Sequence, residues 1–238
     1  MSLRGCFVAG TDTGVGKTRV SAALLHWLAG AGIAAVGYKP VAAGMEWLAG
    51  RWINEDVDVL QRHGPAGIAA ERIGPCQLGA ACAPHIAAEL EGRMIERQAL
   101  LRGARDLQSE ADFLVAEGAG GLIVPLGPDW DSADLALDFG LPVVLVVGLR
   151  LGCLNHGLLT AEALAARGLA LAGWVANTLD AGMPQLRRNI ETLEHELLRR
   201  HQAPCLGIIP ELDTPDAARV AAFFNGAVLR TRFGLPSA

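Results

Sequence analysis

Val8-Ala9-Gly10-Thr11-Asp12-Thr13-Gly14-Val15-Gly16-Lys17-Thr18 is the stretch that decides how this chain folds. The apolar run Cys6 to Ala9 leads into it, and Val20 to Leu28 follows with apolar positions at helical spacing. Strand, glycine loop and helix in that order are the context a phosphate-binding P-loop requires. Small residues let successive backbone N–H groups curl around a phosphate, and the helix N-terminus adds partial positive charge. Lys17 then reaches the outer phosphates and Thr18 offers its hydroxyl to Mg²⁺. The strict pattern has glycine five residues before Gly16. Thr11 stands there instead, with Gly10 one step further back.

The lysine inventory points to the same place. The chain has 18 arginines and only two lysines, Lys17 and Lys39. Arginine serves surface solubility as well as lysine does, so lysine is retained where a compact ammonium is harder to replace. Lys39 lies in Tyr38-Lys39-Pro40-Val41-Ala42-Ala43-Gly44. The proline holds the preceding backbone extended, which aims the lysine across the mouth of the crevice.

With 238 residues and 51% hydrophobic content, the chain is expected to bury a full core as one large α/β domain over residues 1–238. A net charge of −5 argues against nucleic acid as a partner. Cys6, Cys76, Cys82, Cys153 and Cys205 are odd in number and contain no C-x-x-C pair, so neither a disulfide framework nor a zinc site is expected. The N-terminus lacks a secretory pattern, and the longest apolar run, Leu141 to Val147, is too short to span a bilayer. The chain therefore reads as soluble and cytoplasmic.

Further apolar runs at Ile33 to Tyr38, Ala111 to Ala116, Pro142 to Val147, Leu169 to Ala176 and Cys205 to Ile209 have the continuous character of strands buried on both faces. Helical patterns are expected at about 95–108, 154–167, 184–201 and 215–224. This alternation predicts a P-loop NTPase-like, mostly parallel sheet with helices on both faces, and ligands at the carboxyl ends of the strands. The segment from Ala43 to Pro84 is expected to be a long irregular binding loop, helical only around Asp56 to His63. Glu55, Asp56 and Asp58 sit where the helix dipole stabilises acidic residues. Glu117 ends a buried run and leads into Gly118-Ala119-Gly120-Gly121, resembling the acidic position that helps hold Mg²⁺ in P-loop enzymes.

Gly10 to Thr18, Gly37-Tyr38-Lys39-Pro40-Val41, Pro84-His85, Glu117 to Gly121, Leu151-Gly152-Cys153-Leu154-Asn155-His156 and Gly173-Trp174-Val175-Ala176-Asn177 together resemble, in order, the motifs of dethiobiotin synthetases. The set covers nearly the whole chain. The resemblance implies an ATP- and Mg²⁺-dependent cyclo-ligase of biotin biosynthesis that converts 7,8-diaminononanoate and CO₂ to dethiobiotin, releasing ADP and phosphate.

By the same resemblance, Thr13, Gly14, Val15, Gly16, Lys17, Thr18, Arg19, Asp56, Glu117, Gly118, Ala119 and Gly120 hold the nucleotide and its metal. Thr18, Asp56 and Glu117 are the implied Mg²⁺ ligands, a hard-oxygen set. Asn177 and Thr178, with Pro210, Glu211 and Leu212, are assigned to the adenine side. Lys17 and Lys39 carry the catalytic charge. Lys39, Ala43, Gly152, Cys153 and Asn155 face the diamine, the last three across a homodimer interface. Cys153 has no base nearby in sequence and reads as a packing residue. His85 is expected either to touch substrate or to pack beneath it.

Three departures from the family pattern stand out. Ala43 and Ala83 replace hydroxyl residues, each removing one neutral hydrogen bond of about 0.5 to 1.5 kcal/mol, and Gly14 replaces a Glu found in some members. Two rival readings share the fold. A nucleotide-switched positioning ATPase carries an additional lysine five residues before the P-loop lysine, where this chain has Asp12, and often a membrane-binding tail, whereas Phe233 to Ala238 is short and uncharged. A cobyrinic-acid amidating synthetase needs a glutaminase domain for which no residues remain. Asn177-Thr178-Leu179-Asp180 lacks the lysine of the guanine-reading Asn-Lys-x-Asp motif, so ATP is expected over GTP.

Overall fold

The structure, a computed structural model, describes residues 3–48, 50–213 and 216–236. Strand β1 (Gly5–Gly10) has no polar side chain and every residue buried, and it delivers the chain through the P-loop into α1 (Lys17–Gly30). β2 (Ala35–Tyr38) follows, then β3 (Val41–Ala43), β4 (Glu46–Leu48), β5 (Arg51–Ile53), α2 (Glu55–His63), α3 (Ala70–Ile73), β6 (Cys76–Leu78) and α4 (Pro84–Leu90). The remainder alternates regularly through α5 (Arg97–Gln108), β7 (Phe113–Glu117), α6 (Ser132–Phe139), β8 (Val143–Leu149), α7 (Cys153–Ala166), β9 (Leu171–Thr178), α8 (Leu186–His201) and β10 (Cys205–Ile209). It closes with α9 (Ala217–Ala221) and α10 (Gly226–Phe233).

The central sheet is six-stranded and wholly parallel, in the order β10-β9-β8-β1-β7-β2. Its Val-, Ile- and Leu-rich strands are covered on both faces, as a parallel sheet requires. α2 and α9 both pack against α1 on one side. The right-handed crossover rule puts α5, α6, α7 and α8 on the other. Strand order reverses beside β1, whose neighbours β7 and β8 come much later in sequence, so the crevice of an open α/β sheet opens at the carboxyl end of β1.

One glycine marks the point of the loop there that tolerates no side chain. Gly16 has φ +92°, and a Cβ on it would stand 2.3 Å from Asn177 Nδ2. An alanine there combines left-handed backbone strain with a hard clash.

The fold class agrees with the sequence expectation, but the stretch from Ala43 to Pro84 does not. It is built, not irregular: β3 and β6 form a parallel pair, β4 and β5 an antiparallel hairpin, and α2 and α3 follow in sequence. Three-residue strands carry too few positions to establish a period. α4, α6 and α10 were not foreseen either, although Asp131 and Asp134 form a capping box at the start of α6. The helix expected from Pro184 begins at Leu186, because Gln185 is left-handed at φ 57°. The one expected across 215–224 contracts to α9, capped by Asp216, whose side chain accepts from Arg219 N–H at 2.7 Å. Pro215, and Ser237 and Ala238 of the uncharged tail, lie outside the described residues. Among the described residues no helix is long and apolar enough to cross a membrane.

Candidate active site

Four segments at the carboxyl ends of strands bring the site together. After β1, the loop turns through Gly14 (φ +73°) and Gly16 and presents Lys17, 7% exposed, whose Nζ donates to the Asp12 carbonyl at 3.1 Å. The Asp12 side chain stiffens this turn: Oδ1 accepts from Thr13 N–H at 2.7 Å and Oδ2 pairs with Arg150 Nη2 at 2.5 Å. Burial is the main force lowering the Lys17 pKa, the charge of Lys39 adds to it, and together they bring it down to about 8.

β2 delivers Lys39. It is 3% exposed, and its ammonium lies 2.7 Å from Asp56 Oδ2, 2.7 Å from Glu117 Oε1 and 3.2 Å from the Gly118 carbonyl. A lysine this deep loses its hydration and must be repaid by paired charge. Burial opposes its protonation, yet the Glu117 and Asp56 carboxylates outweigh burial and hold its pKa above the ordinary lysine value. For Asp56, burial pushes upward, but Lys39 and the Thr18 hydroxyl pull its pKa below the usual carboxylate range.

β7 ends on Glu117, which is fully buried. Thr18 Oγ1 lies 2.6 Å from Asp56 Oδ1 and 2.8 Å from Glu117 Oε1. A hydroxyl has one proton to donate, so at any instant one of these two contacts joins two oxygen acceptors. Glu117 Oε2 is buried with no partner. A hard cation relieves both conditions, and the donor set of two carboxylates and a hydroxyl suits one. Among the described residues no three His, Cys, Asp or Glu side chains converge as a metal cluster, so this oxygen set depends on Thr18.

The cavity above these groups measures about 810 Å³. Of the residues assigned to this site from the sequence, Thr13, Gly14, Gly16, Lys17, Thr18, Lys39, Ala43, Asp56, Ala119 and Gly120 line it, and Val15, Glu117 and Gly118 do not. Ala83, one of the positions where a hydroxyl residue is replaced, lines it too, in a small-residue wall with Ala81 and Cys82, which the sequence did not single out. Arg19 lines a neighbouring cavity of about 480 Å³ that shares Gly16, Thr18 and Asp56.

Asn177, fully buried at the carboxyl end of β9, ties that strand to the P-loop: its Nδ2 donates to the Val15 carbonyl at 2.8 Å, and its Oδ1 has no partner. Thr178 follows it, buried. Pro210, Glu211 and Leu212 come directly after β10, and Glu211 Oε2 accepts from Ala181 N–H at 3.0 Å. Gly152 caps α7 with φ 97°, and Asn155 is exposed in its first turn. Neither they nor Cys153 belong to the lining of the cavity of the same chain. Cys153 is buried, and burial raises its thiol pKa, in keeping with a packing role. His85 Nδ1 lies 3.2 Å from the Pro125 carbonyl, joining α4 to the segment after the glycine loop. Arg150 and Asn54 escaped the sequence reading. Asn54 alone left a signal, an Asn directly before an acidic helix start.

An AAA domain family model matches residues 4–219. In fold the chain is similar to the cell-division protein MinD in its MinC:MinD complex from Aquifex aeolicus, at a TM-score of 0.57 with 14% identity over 99% of this chain and 97% of the other. The MinD cell division ATPase of Pyrococcus furiosus gives 0.51 with 19% identity, over 96% of each chain. Those likenesses concern the fold alone. In sequence the chain is 49% identical to the ATP-dependent dethiobiotin synthetase BioD of Aromatoleum aromaticum, over 92% of this chain and 96% of that one. It is 48% identical to its namesake from Ralstonia nicotianae, over 95% and 97%. Relatedness at this level, end to end, places the chain in the ATP-dependent dethiobiotin synthetases, which are ligases.

Proposed function

We propose that this chain closes the ureido ring of dethiobiotin from 7,8-diaminononanoate, CO₂ and ATP, working in the cytoplasm as a homodimer. The observation that carries the reading is the contact of Lys39 with Asp56 and Glu117 beside the P-loop hydroxyl of Thr18. It gathers a buried ammonium and a hard-oxygen cluster where the outer phosphate of a bound nucleotide would lie.

One amine of the diamine takes up CO₂ and loses a proton, giving a carbamate. A carbamate oxygen attacks the γ-phosphorus, the bond to the β-phosphate oxygen breaks, and ADP leaves. The second amine attacks the carbamate carbon, the carbon–oxygen bond to phosphate breaks, and the ring closes with release of phosphate and a proton. Such chemistry asks the protein for position and for cations around developing charge. Lys17 serves the β- and γ-phosphates, while Lys39 stands where carbamate and γ-phosphate meet. Thr18, Asp56 and Glu117 would hold Mg²⁺, which when bound neutralises the phosphate oxygens. Asn177, with Pro210 to Leu212, faces the base. The start of α7, around Gly152, Cys153 and Asn155, suits the distal carboxylate of a diamine held by the partner subunit through its helix dipole, although the Cys153 N–H itself donates to the Arg150 carbonyl at 3.0 Å.

Transfer of ¹⁸O tests the order of steps. With ¹⁸O-labelled bicarbonate in unlabelled water at short times, one label is expected in the released phosphate. Formation of dethiobiotin with unlabelled phosphate contradicts attack by a carbamate oxygen.

A further inference from the structure

We infer that Asn54 is a positioning residue of this site, its amide pinning the Asp56-bearing start of α2 to the cavity-lining end of β3. Asn54 is 5% exposed and makes contacts at both ends of its amide. Its Oδ1 accepts from Val57 N–H at 3.2 Å, capping α2, while its Nδ2 donates to the Gly44 carbonyl at 2.9 Å and the Ala43 carbonyl at 3.4 Å. The partners dictate the orientation of the amide, since one side meets a donor and the other two acceptors.

An N-cap alone needs only an acceptor, which Ser or Asp supplies as well as Asn. The donor half performs a different task. Between Gly44 and Asn54 the chain leaves the core as the hairpin 46–53, whose two strands pair only with each other. Trp47 and Trp52 pack on one another at 5.5 Å between ring centroids and are both exposed. The hairpin reaches α2 through the exposed ion pair of Arg51 with Asp58 at 3.7 Å, too weak a contact to locate it. Asn54 closes it at the base and couples Ala43, which lines the cavity, to Asp56 two residues further on. Asp56 in turn holds Lys39 and Thr18. Gly44 N–H is bonded to the Leu78 carbonyl at 2.9 Å, and α2 is packed by Val57 and Leu60, so losing the pin loosens only the short link between these anchors, where Asp56 sits; displacements near 1 Å at a reacting centre cost on the order of a hundredfold in rate.

This inference rests on the ligase reading for its kinetic arm, but a second arm does not. Because the chain has two lysines, acylation with acetic anhydride followed by peptide mass spectrometry reports Lys17 and Lys39 separately in nucleotide- and metal-free protein. Asn54→Asp and Asn54→Ser retain a capping acceptor and lack the Nδ2 donor. In both, far-ultraviolet circular dichroism is expected to be native. Lys39 should label several-fold faster relative to Lys17, and kcat for dethiobiotin formation should fall about tenfold or more with KM for ATP within twofold. Unchanged Lys39 protection with kcat within twofold of the unsubstituted protein overturns the inference. An equal rise in labelling at both lysines also overturns it, since that is general loosening. If the unsubstituted protein forms no dethiobiotin, the proposed activity fails while the labelling ratio still decides the role of Asn54.

Discussion

Lys39, directly after β2, and Glu117, at the carboxyl end of the neighbouring β7, meet at 2.7 Å, and both are almost entirely withdrawn from solvent. A buried ion pair is a poor device for stability alone, since the desolvation cost offsets most of the attraction. Its presence beside a P-loop makes sense as a store of oriented charge. The ammonium is fixed before substrate arrives, so little reorganisation remains when phosphoryl transfer begins.

The compactness of that ammonium is testable. Arginine keeps the charge but spreads it over a planar fork that needs a wider opening than Asp56, Glu117 and the Gly118 carbonyl leave. Lys39→Arg is expected to lower kcat by about 10²- to 10³-fold with KM for ATP little changed. Near-normal turnover contradicts the role given to Lys39.

Removing Glu117 should expose the cost of the pair. Glu117→Ala leaves Lys39 buried with Asp56 as its remaining carboxylate, and destabilisation of about 3 kcal/mol is expected by urea titration of the nucleotide-free protein. The double substitution Lys39→Met with Glu117→Ala should recover part of that loss, because the buried ammonium is gone and the carboxylate left without its cation, Asp56, is 38% exposed and still accepts from the Thr18 hydroxyl. Strict additivity of the two changes contradicts the coupling.

Lys17 predicts a pH dependence with a definite sign. Its folded pKa lies at about 8, below the 10.5 of an ordinary lysine, with burial the main cause and the charge of Lys39 the second. Between those two values the unfolded chain binds more protons than the folded one, so this residue makes the nucleotide-free protein more stable as pH rises through that window. Below about 8 its penalty is fully present. Compared with Lys17→Met, the unsubstituted protein should gain stability from pH 8 to 10, seen as converging urea midpoints. A constant gap across that range contradicts the burial of a charged Lys17.

Sharing of the site between protomers can be tested by complementation. Lys39→Met and Asn155→Ala should each be nearly inactive alone. Mixed in equal amounts, unfolded and refolded together, they should regain about a quarter of full activity, since half the dimers are mixed and each has one intact site. No recovery with dimers present contradicts a contribution of Asn155 from the partner subunit.

Much of this site can be read from the chain because the P-loop, Lys39-Pro40 and Glu117-Gly118 each sit at the end of a continuous apolar run in the sequence, where pattern and glycine chemistry are strong. Strand β10 matches its expected span, Cys205 to Ile209, for the same reason. Asp56 was harder to place. It follows a hairpin of two three-residue strands, and its position depends on the amide of Asn54 reaching back to Gly44 across that hairpin. The pairing of Asp12 with Arg150, 138 residues away, leaves no local signature at all.

The most direct test of the whole account is phosphate release by purified protein given Mg-ATP, bicarbonate and 7,8-diaminononanoate. The account predicts diamine-dependent release, with one phosphate for each dethiobiotin formed. Release no greater than in the diamine-free control contradicts it.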